Sequence, residues 1–200
     1  MSKPIWWEKT VEYKFVRQFI KDNHMIAPLD GKHEAAGDAI LGLGLKWVLI
    51  EFKKDASSIN SEIEKFGNRW IEAKKSLTGK DTHHFLIFGQ LSEVDGKLDI
   101  NLRAVNYFSL NKIKCNEIFS CGVDPETFNA YLVEFAKFKE TVSSSGGMDL
   151  QAYEQVMGVN ANGEVVACAS LKEFGLALGK HYVHQQEKQR TRSYDRGMSM

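Results

Sequence analysis

Apolar positions along the chain alternate between helical and strand spacing, and this pattern predicts a mixed α/β fold. Residues 7–21 predict a helix, because apolar side chains recur there every three or four positions. A longer amphipathic helix is predicted over 58–77 and is expected to cover a sheet. A third helix should begin after Asp124, a good N-cap residue that a proline follows. The apolar stripe of the second helix consists of Ile59, Ile63, Phe66, Trp70, Ala73 and Leu77.

Short apolar runs between these helices predict the strands of a central sheet. Residues 25–29 are predicted to form a short strand, and the proline among them favours a sheet edge or a strand end. The runs "DAIL" (38–41) and "WVLIEFK" (47–53) are predicted to pair as a hairpin through "GLGLK", where two glycines permit a tight turn. A buried-type strand over 84–91 then turns through "EVDGK" into an alternating strand over 98–105.

Composition divides the chain into a core and an extension. Residues 1–142 are predicted to be the core domain, and the run "SSSGG" marks 143–149 as a linker. Residues 150–180 are predicted to form a small β-hairpin plus a helix as an extension of the core. The last segment, 181–200, is a polar basic tail.

Length and charge bound the class of protein. With 200 residues, the chain suits one domain, or one domain with a small appendage. The formal net charge is zero, so a polyanionic partner would have to meet a local basic patch. Three cysteines are a sparse, odd set that fits a reducing compartment. The first residues lack the apolar run of a signal peptide, and no membrane span is predicted. We therefore expect a cytoplasmic protein.

Charged residues stand at one end of the predicted 38–53 hairpin. The start of its first strand and the end of its second lie together at the open end, so Asp38 and Glu51 are expected to be neighbours. Strand alternation places Glu51 and Lys53 on one face and Phe52 on the other. Paired carboxylates repel each other unless a divalent cation or a lysine lies between them. Mg²⁺ prefers oxygen ligands and takes one or two protein carboxylates, so this end of the hairpin is a candidate magnesium site.

These residues resemble the PD-(D/E)XK nuclease superfamily. The resemblance rests on "GD" at 37–38, an apolar strand, a turn and "LIEFK" at 49–53, and it covers roughly residues 8–91. The superfamily has an acidic residue on a preceding helix, an aspartate on one strand, E-x-K on the next, and then a helix that crosses the sheet. Gly37 stands where the family often has proline. The four family positions are matched in order by Glu12, Asp38, Glu51 and Lys53.

The resemblance implies a restriction-endonuclease-like fold, in which helices flank a central mixed sheet with core order α-β-β-β-α-β. It implies a nuclease that hydrolyses phosphodiester bonds in DNA with Mg²⁺ or Mn²⁺, in restriction, phage-related defence or repair. Lys53 would orient or deprotonate the attacking water, or neutralise charge at the phosphate. The implied catalytic residues are Lys53, Glu51, Asp38 and Glu12, and the implied metal ligands are Asp38, Glu51, Glu12 and the backbone carbonyl of Phe52.

Several alternatives stay open. The chain can instead be a catalytically silent nucleic-acid-binding or scaffolding module that keeps the nuclease fold, or the carboxylates can be the solvated edge of a hairpin. Glu8, one turn before Glu12, competes with it for the helix position. A homodimer or a partner protein is also compatible with the sequence. The residues predicted to contact nucleic acid, DNA above all, are Lys54 and the tail residues Lys188, Arg190 and Arg192.

Overall fold

The computed structural model describes residues 5–20, 27–28, 45–94, 97–139, 154–170 and 174. The helices of this part of the chain are α1 (Glu8–Phe19), α2 (Ile59–Glu64), α3 (Trp70–Leu77) and α4 (Pro125–Lys139). The strands are β1 (Ala27–Pro28), β2 (Lys46–Lys53), β3 (His84–Val94), β4 (Lys97–Asn106), β5 (Lys112–Ile113), β6 (Glu154–Val159) and β7 (Val165–Ser170).

The seven described strands form one mixed sheet in the order β1-β7-β6-β2-β3-β4-β5. Strand β2 lies in the middle, parallel to β3 on one side and antiparallel to β6 on the other. The connection from β2 to β3 carries α2 and α3, as a crossover between parallel strands requires. Beyond β3, strands β4 and β5 continue the sheet in antiparallel fashion. The α/β class predicted from the sequence is therefore confirmed.

The antiparallel neighbour of β2 differs from the prediction. Strand β6 pairs with β2 from Lys46 to Glu51, and β3 pairs with its other edge from Leu49 to Lys53. Both edges of β2 beside Glu51 are thus occupied, and the prediction that 38–41 pairs directly with β2 is wrong. The run 38–41 itself lies outside the described residues. Strand β6 suits a central position because its residues 156–159 are all buried.

The C-terminal hairpin belongs to the same sheet as β2. Strands β6 and β7 pair with each other, and β6 pairs with β2, so the hairpin predicted for the 150–180 extension supplies central strands. The predicted linker 143–149 and the tail 181–200 lie outside the described residues.

The long helix predicted over 58–77 is broken. Helix α2 ends at Glu64, a 3-10 turn follows at Gly67–Arg69, and α3 begins at Trp70. Gly67 has φ +53°, a left-handed conformation that ends a right-handed helix and that glycine adopts at little cost. The break divides the predicted apolar stripe between α2, which follows β2, and α3.

Other predicted elements are confirmed with small shifts at their ends. Helix α1 lies within the predicted 7–21, and β3 and β4 contain the two strands predicted around "EVDGK". Helix α4 begins at Pro125, where the Asp124 carboxylate accepts hydrogen bonds from the backbone N–H groups of Glu126 and Thr127. This is the N-cap geometry that the sequence predicted.

Apolar side chains cover both faces of the sheet. Residues Trp47 and Leu49 of β2 face α2, α3 and α4, whereas Val48, Ile50 and Phe52 face α1. Trp70 is only partly buried and stacks on Phe108, with ring centroids 5.3 Å apart. None of the helices described is long and apolar enough to cross a membrane.

Candidate active site

The end of β2 brings Glu51 and Lys53 together inside the protein. Strand alternation puts both side chains on the face of the sheet that α2 covers, and Phe52 points to the opposite face. There Phe52 packs edge-on against Phe15 of α1, with ring centroids 5.5 Å apart. The predicted arrangement of Glu51 and Lys53 on one face is therefore confirmed.

Both charged residues are almost completely buried. Glu51 is 2% exposed and Lys53 is 4% exposed, and Lys53 Nζ lies 2.7 Å from Glu51 Oε1. This burial contradicts the interpretation of the pair as a solvated hairpin edge. Burying a charge is costly unless the charge is paired and hydrogen-bonded. The contacts around the two residues therefore matter for what this strand end can do.

A second charged pair, from the segment that follows β2, completes a cluster of four side chains. Glu62 of α2 is fully buried, and its Oε1 lies 2.5 Å from Lys53 Nζ. Lys65, just after α2, lies 3.0 Å from Glu51 Oε1 and 2.5 Å from Glu62 Oε1. Two carboxylates thus face two ammonium groups, and their formal charges cancel. We call Glu51, Lys53, Glu62 and Lys65 the buried charge cluster.

Tyr107 fixes the second oxygen of Glu62. Its hydroxyl donates a hydrogen bond of 2.7 Å to Glu62 Oε2, which leaves Oε1 directed at the two lysines. The Tyr107 ring is itself fully buried and stacks on His84, with centroids 4.1 Å apart and the planes tilted by 16°. A packed aromatic side chain therefore holds the Glu62 carboxylate in one orientation.

Lys53 is held in its charged form. Burial on its own lowers the pKa of the Lys53 ammonium, but the carboxylates of Glu51 and Glu62 raise it by more, and the net pKa lies above the ordinary 10.5. A lysine that keeps its proton cannot remove one from water. Of the roles that the resemblance implies for Lys53, orienting water and neutralising charge are those that need a charged ammonium group.

Of the two glutamates of α1, Glu8 lies near Lys53. Glu8 is the first residue of α1, and its Oε1 lies 3.8 Å from Lys53 Nζ. Glu12, one turn later, is 15% exposed at its side chain and pairs with Lys9 at 2.7 Å. The sequence pattern favoured Glu12 over Glu8. The described contacts instead favour Glu8 as the α1 residue that contacts Lys53.

Asp38, the remaining carboxylate of the predicted site, lies outside the described residues, and its place in the site stays a prediction. The same holds for the tail residues Lys188, Arg190 and Arg192. Lys54 is exposed, as a nucleic-acid contact requires, and its Nζ lies 5.9 Å from the centre of the Trp6 ring. Its backbone carbonyl accepts a hydrogen bond of 2.7 Å from Trp6 Nε1, which ties the start of α1 to the end of β2.

The backbone carbonyl of Phe52 points away from β3. The amide of Leu49 donates to the carbonyl of His83, and backbone groups alternate between the two edges of a strand, so Phe52 directs its carbonyl to the β6 edge. In the described residues the β2–β6 ladder ends at Glu51. Phe52 lies one residue beyond that last described pair.

Comparison of the chain with family models, with curated proteins and with solved structures gave no match.

The described residues offer few ligands for a cation. Within the described ranges no group of three His, Cys, Asp or Glu residues could hold a metal. Glu51 and Glu62 nevertheless point a carboxylate oxygen each at the same two ammonium groups. Mg²⁺ commonly uses only one or two carboxylates and keeps several waters, so a cation held here would have to displace an ammonium group from Glu51 or Glu62.

Sequence reasoning missed Glu62 and Lys65. The charges in "SEIEKF" are typical of the solvated face of an amphipathic helix. The available signal was position, because Glu62 precedes the buried Phe66 by four residues and so lies on the same face of the segment. A glutamate on an apolar face one turn into the helix after an E-x-K strand was the clue.

Proposed function

We propose that this protein is a metal-dependent nuclease of the PD-(D/E)XK type that hydrolyses phosphodiester bonds in DNA. The observation that carries the proposal is the burial of the E-x-K pair: Glu51 and Lys53 end the central strand, almost wholly out of water, in contact with a second carboxylate. Proteins rarely bury such groups without a structural or chemical need, and perturbed charges cluster at functional sites.

The proposal includes the restriction-endonuclease-like topology. A central strand that ends in E-x-K, a helical crossover against one face and a parallel strand beside it support this topology, whereas the antiparallel pairing of β2 with β6 is not part of the implied order. Asp38 remains part of the proposed site through the resemblance alone.

Two residues of the cluster, Glu51 and Lys53, and the neighbouring Phe52 have roles in the proposed reaction. Glu51 supplies a carboxylate oxygen at the end of β2, and Phe52 supplies a carbonyl at the edge next to it. Mg²⁺ or Mn²⁺ bound there would provide a water of lowered pKa and would polarise the phosphate. Lys53 keeps its proton on Nζ, so it orients the attacking water or offsets phosphate charge by donating hydrogen bonds.

A specific observation supports a second candidate, the catalytically silent nucleic-acid-binding module. In the buried charge cluster the ammonium groups of Lys53 and Lys65 already satisfy Glu51 and Glu62. Such a neutral cluster can serve only to fix the position of α2 against β2, as buried ion pairs do in some proteins. The two functions differ in whether the cluster binds a divalent cation and supports cleavage.

A cleavage assay decides between them. The wild-type protein is incubated with plasmid, linear duplex, single-stranded DNA and RNA, with Mg²⁺ or Mn²⁺ and with a chelator. We expect metal-dependent cleavage of at least one DNA substrate. Glu51→Gln keeps the size of the side chain but removes the charge, so it should reduce cleavage by orders of magnitude. Asp38→Asn should act in the same way, and Glu93→Gln, an exposed residue of β3, is the matched control.

The outcomes separate the candidates. A wild-type protein that binds DNA but cleaves no substrate supports the silent module. Full activity in folded Glu51→Gln, with circular dichroism as the check on folding, refutes the proposed site. Cleavage of RNA without cleavage of DNA supports the proposed phosphodiester hydrolysis but refutes DNA as the substrate.

A further inference from the structure

The four side chains of the buried charge cluster differ in how far they reach towards solvent. The Lys65 side chain is 27% exposed, whereas the Lys53 side chain is 5% exposed and the Glu51 side chain only 2% exposed. Lys65 enters the cluster from the residue after α2, and its ammonium group contacts both carboxylates. Lys65 is therefore the cation through which the cluster meets the surrounding water.

This difference decides which lysine an approaching phosphate touches. A phosphodiester that arrives from solvent is a bulky, hydrated anion, and it contacts an exposed ammonium before a buried one. Lys53 is enclosed by Glu51 and Glu62 within 2.7 Å, with Glu8 at 3.8 Å, so carboxylates shield its charge from an anion. Lys65 has the same carboxylates on one side and solvent on the other.

We propose that Lys65 is the residue that contacts the phosphate of the nucleic-acid substrate, and that Lys53 stays inside the cluster. The inference rests on the proposed function and adds a substrate-binding residue that the E-x-K pattern does not include. Lysine suits this role as a compact, movable point charge. The contact also leaves Lys53 its place beside Glu51.

Glu62 and Tyr107 act as positioning residues for Lys65. Glu62 Oε1 lies 2.5 Å from Lys65 Nζ, and the Tyr107 hydroxyl fixes the other oxygen of the same carboxylate. Because Tyr107 is buried and stacked on His84, the line from Tyr107 through Glu62 to Lys65 has little freedom. Removal of the Tyr107 hydroxyl should leave the charge on Lys65, but the position of its ammonium group should no longer be fixed.

The test measures DNA binding without metal, so that it does not depend on cleavage. Binding of a short fluorescent duplex is measured in the presence of a chelator over a series of salt concentrations. Each lost phosphate contact on duplex DNA should lower the slope of log affinity against log salt by about 0.9. Lys65→Met keeps the unbranched side chain but removes the charge, and Lys65→Arg restores a charge. Lys75→Met, an exposed lysine of α3, is the matched control.

We expect the slope of log affinity against log salt to fall for Lys65→Met by the amount of one phosphate contact. Lys65→Arg and Lys75→Met should have the slope of the wild type. Tyr107→Phe should keep the wild-type slope but, with metal present, raise KM more than it lowers kcat. A Lys65→Met slope equal to that of the wild type overturns the inference. If the same wild-type protein cleaves DNA, the proposed function survives that result. A wild-type protein that neither binds nor cleaves DNA overturns both.

Should Lys65→Met fail to fold by circular dichroism, Lys65→Arg and Lys65→Gln replace it. The slope of folded Lys65→Gln then decides in the same way. An Arg variant that binds no better than the Gln variant also overturns the inference, because a phosphate contact needs the charge and not the particular lysine shape.

Discussion

Replacing Lys53 by methionine should destabilise the protein strongly. The substitution keeps an unbranched side chain of similar length and removes the ammonium group. That group lies 2.7 Å from Glu51 Oε1 and 2.5 Å from Glu62 Oε1, and both carboxylates are at most 2% exposed. Without it, two buried carboxylates remain with Lys65 as the cation of the cluster, and one negative charge is left uncompensated.

The magnitude follows from the burial of the carboxylates. Removing one partner of a buried ion pair typically costs about 3–5 kcal/mol, because the remaining charge is left unpaired out of water. Lys65 contacts the same oxygen of each carboxylate and offsets part of this loss, so we expect a value near the lower end, about 3 kcal/mol. Against a total stability of about 5–15 kcal/mol, this is a large fraction.

Urea unfolding at neutral pH measures the change. The midpoint should fall while the m-value stays the same, because the amount of surface exposed on unfolding does not change. Lys75→Met serves as the exposed control and should lie within about 0.5 kcal/mol of the wild type. The double variant Lys53→Met/Glu62→Gln removes the excess negative charge and should recover part of the loss. A Lys53→Met protein as stable as the control would refute the burial of this cluster.

Three further predictions concern other parts of the protein. Burial lowers the pKa of His83 to about 4, so between pH 6.5 and 4 the unfolded chain takes up a proton that the folded protein does not. The free energy of unfolding should therefore fall by roughly 3 kcal/mol over this range. Urea unfolding at a series of pH values should show this fall for the wild type and not for His83→Phe. Gly158→Ala should cost about 1–3 kcal/mol, because the new Cβ would lie 2.8 Å from the Trp47 ring; an unchanged melting temperature would refute this contact. Deleting residues 186–200 should flatten the salt dependence of DNA binding by about 0.9 for each lost phosphate contact, and an unchanged slope would show that the tail is only a solvated terminus.

The local half of the candidate site could be predicted from the sequence. Glu51 and Lys53 are two residues apart in a strand, so alternation alone places them on one face and Phe52 on the other. The helix after the strand could also be predicted, because its apolar positions have helical spacing. These features depend on residues close together in the chain.

The other half depends on packing between distant segments. Nothing near β2 in the sequence shows that β6 will pair with it, because strand partners so far apart carry no local signal. Glu62 and Lys65 enter the cluster only because α2 crosses β2 and stops before Gly67. Tyr107 arrives from a still later turn, and its hydrogen bond to Glu62 follows from the tertiary fold alone.

The most direct test of the central claim is a calorimetric titration of Mg²⁺ into the protein and its variants. The claim is that Glu51 and its neighbours form a metal-dependent site and not merely a structural ion pair. The account predicts that wild type and the exposed control Glu93→Gln bind Mg²⁺ alike, and that folded Glu51→Gln binds it at least tenfold more weakly. Wild-type protein that binds no divalent cation, or a Glu51→Gln variant that binds it equally well, would contradict the claim.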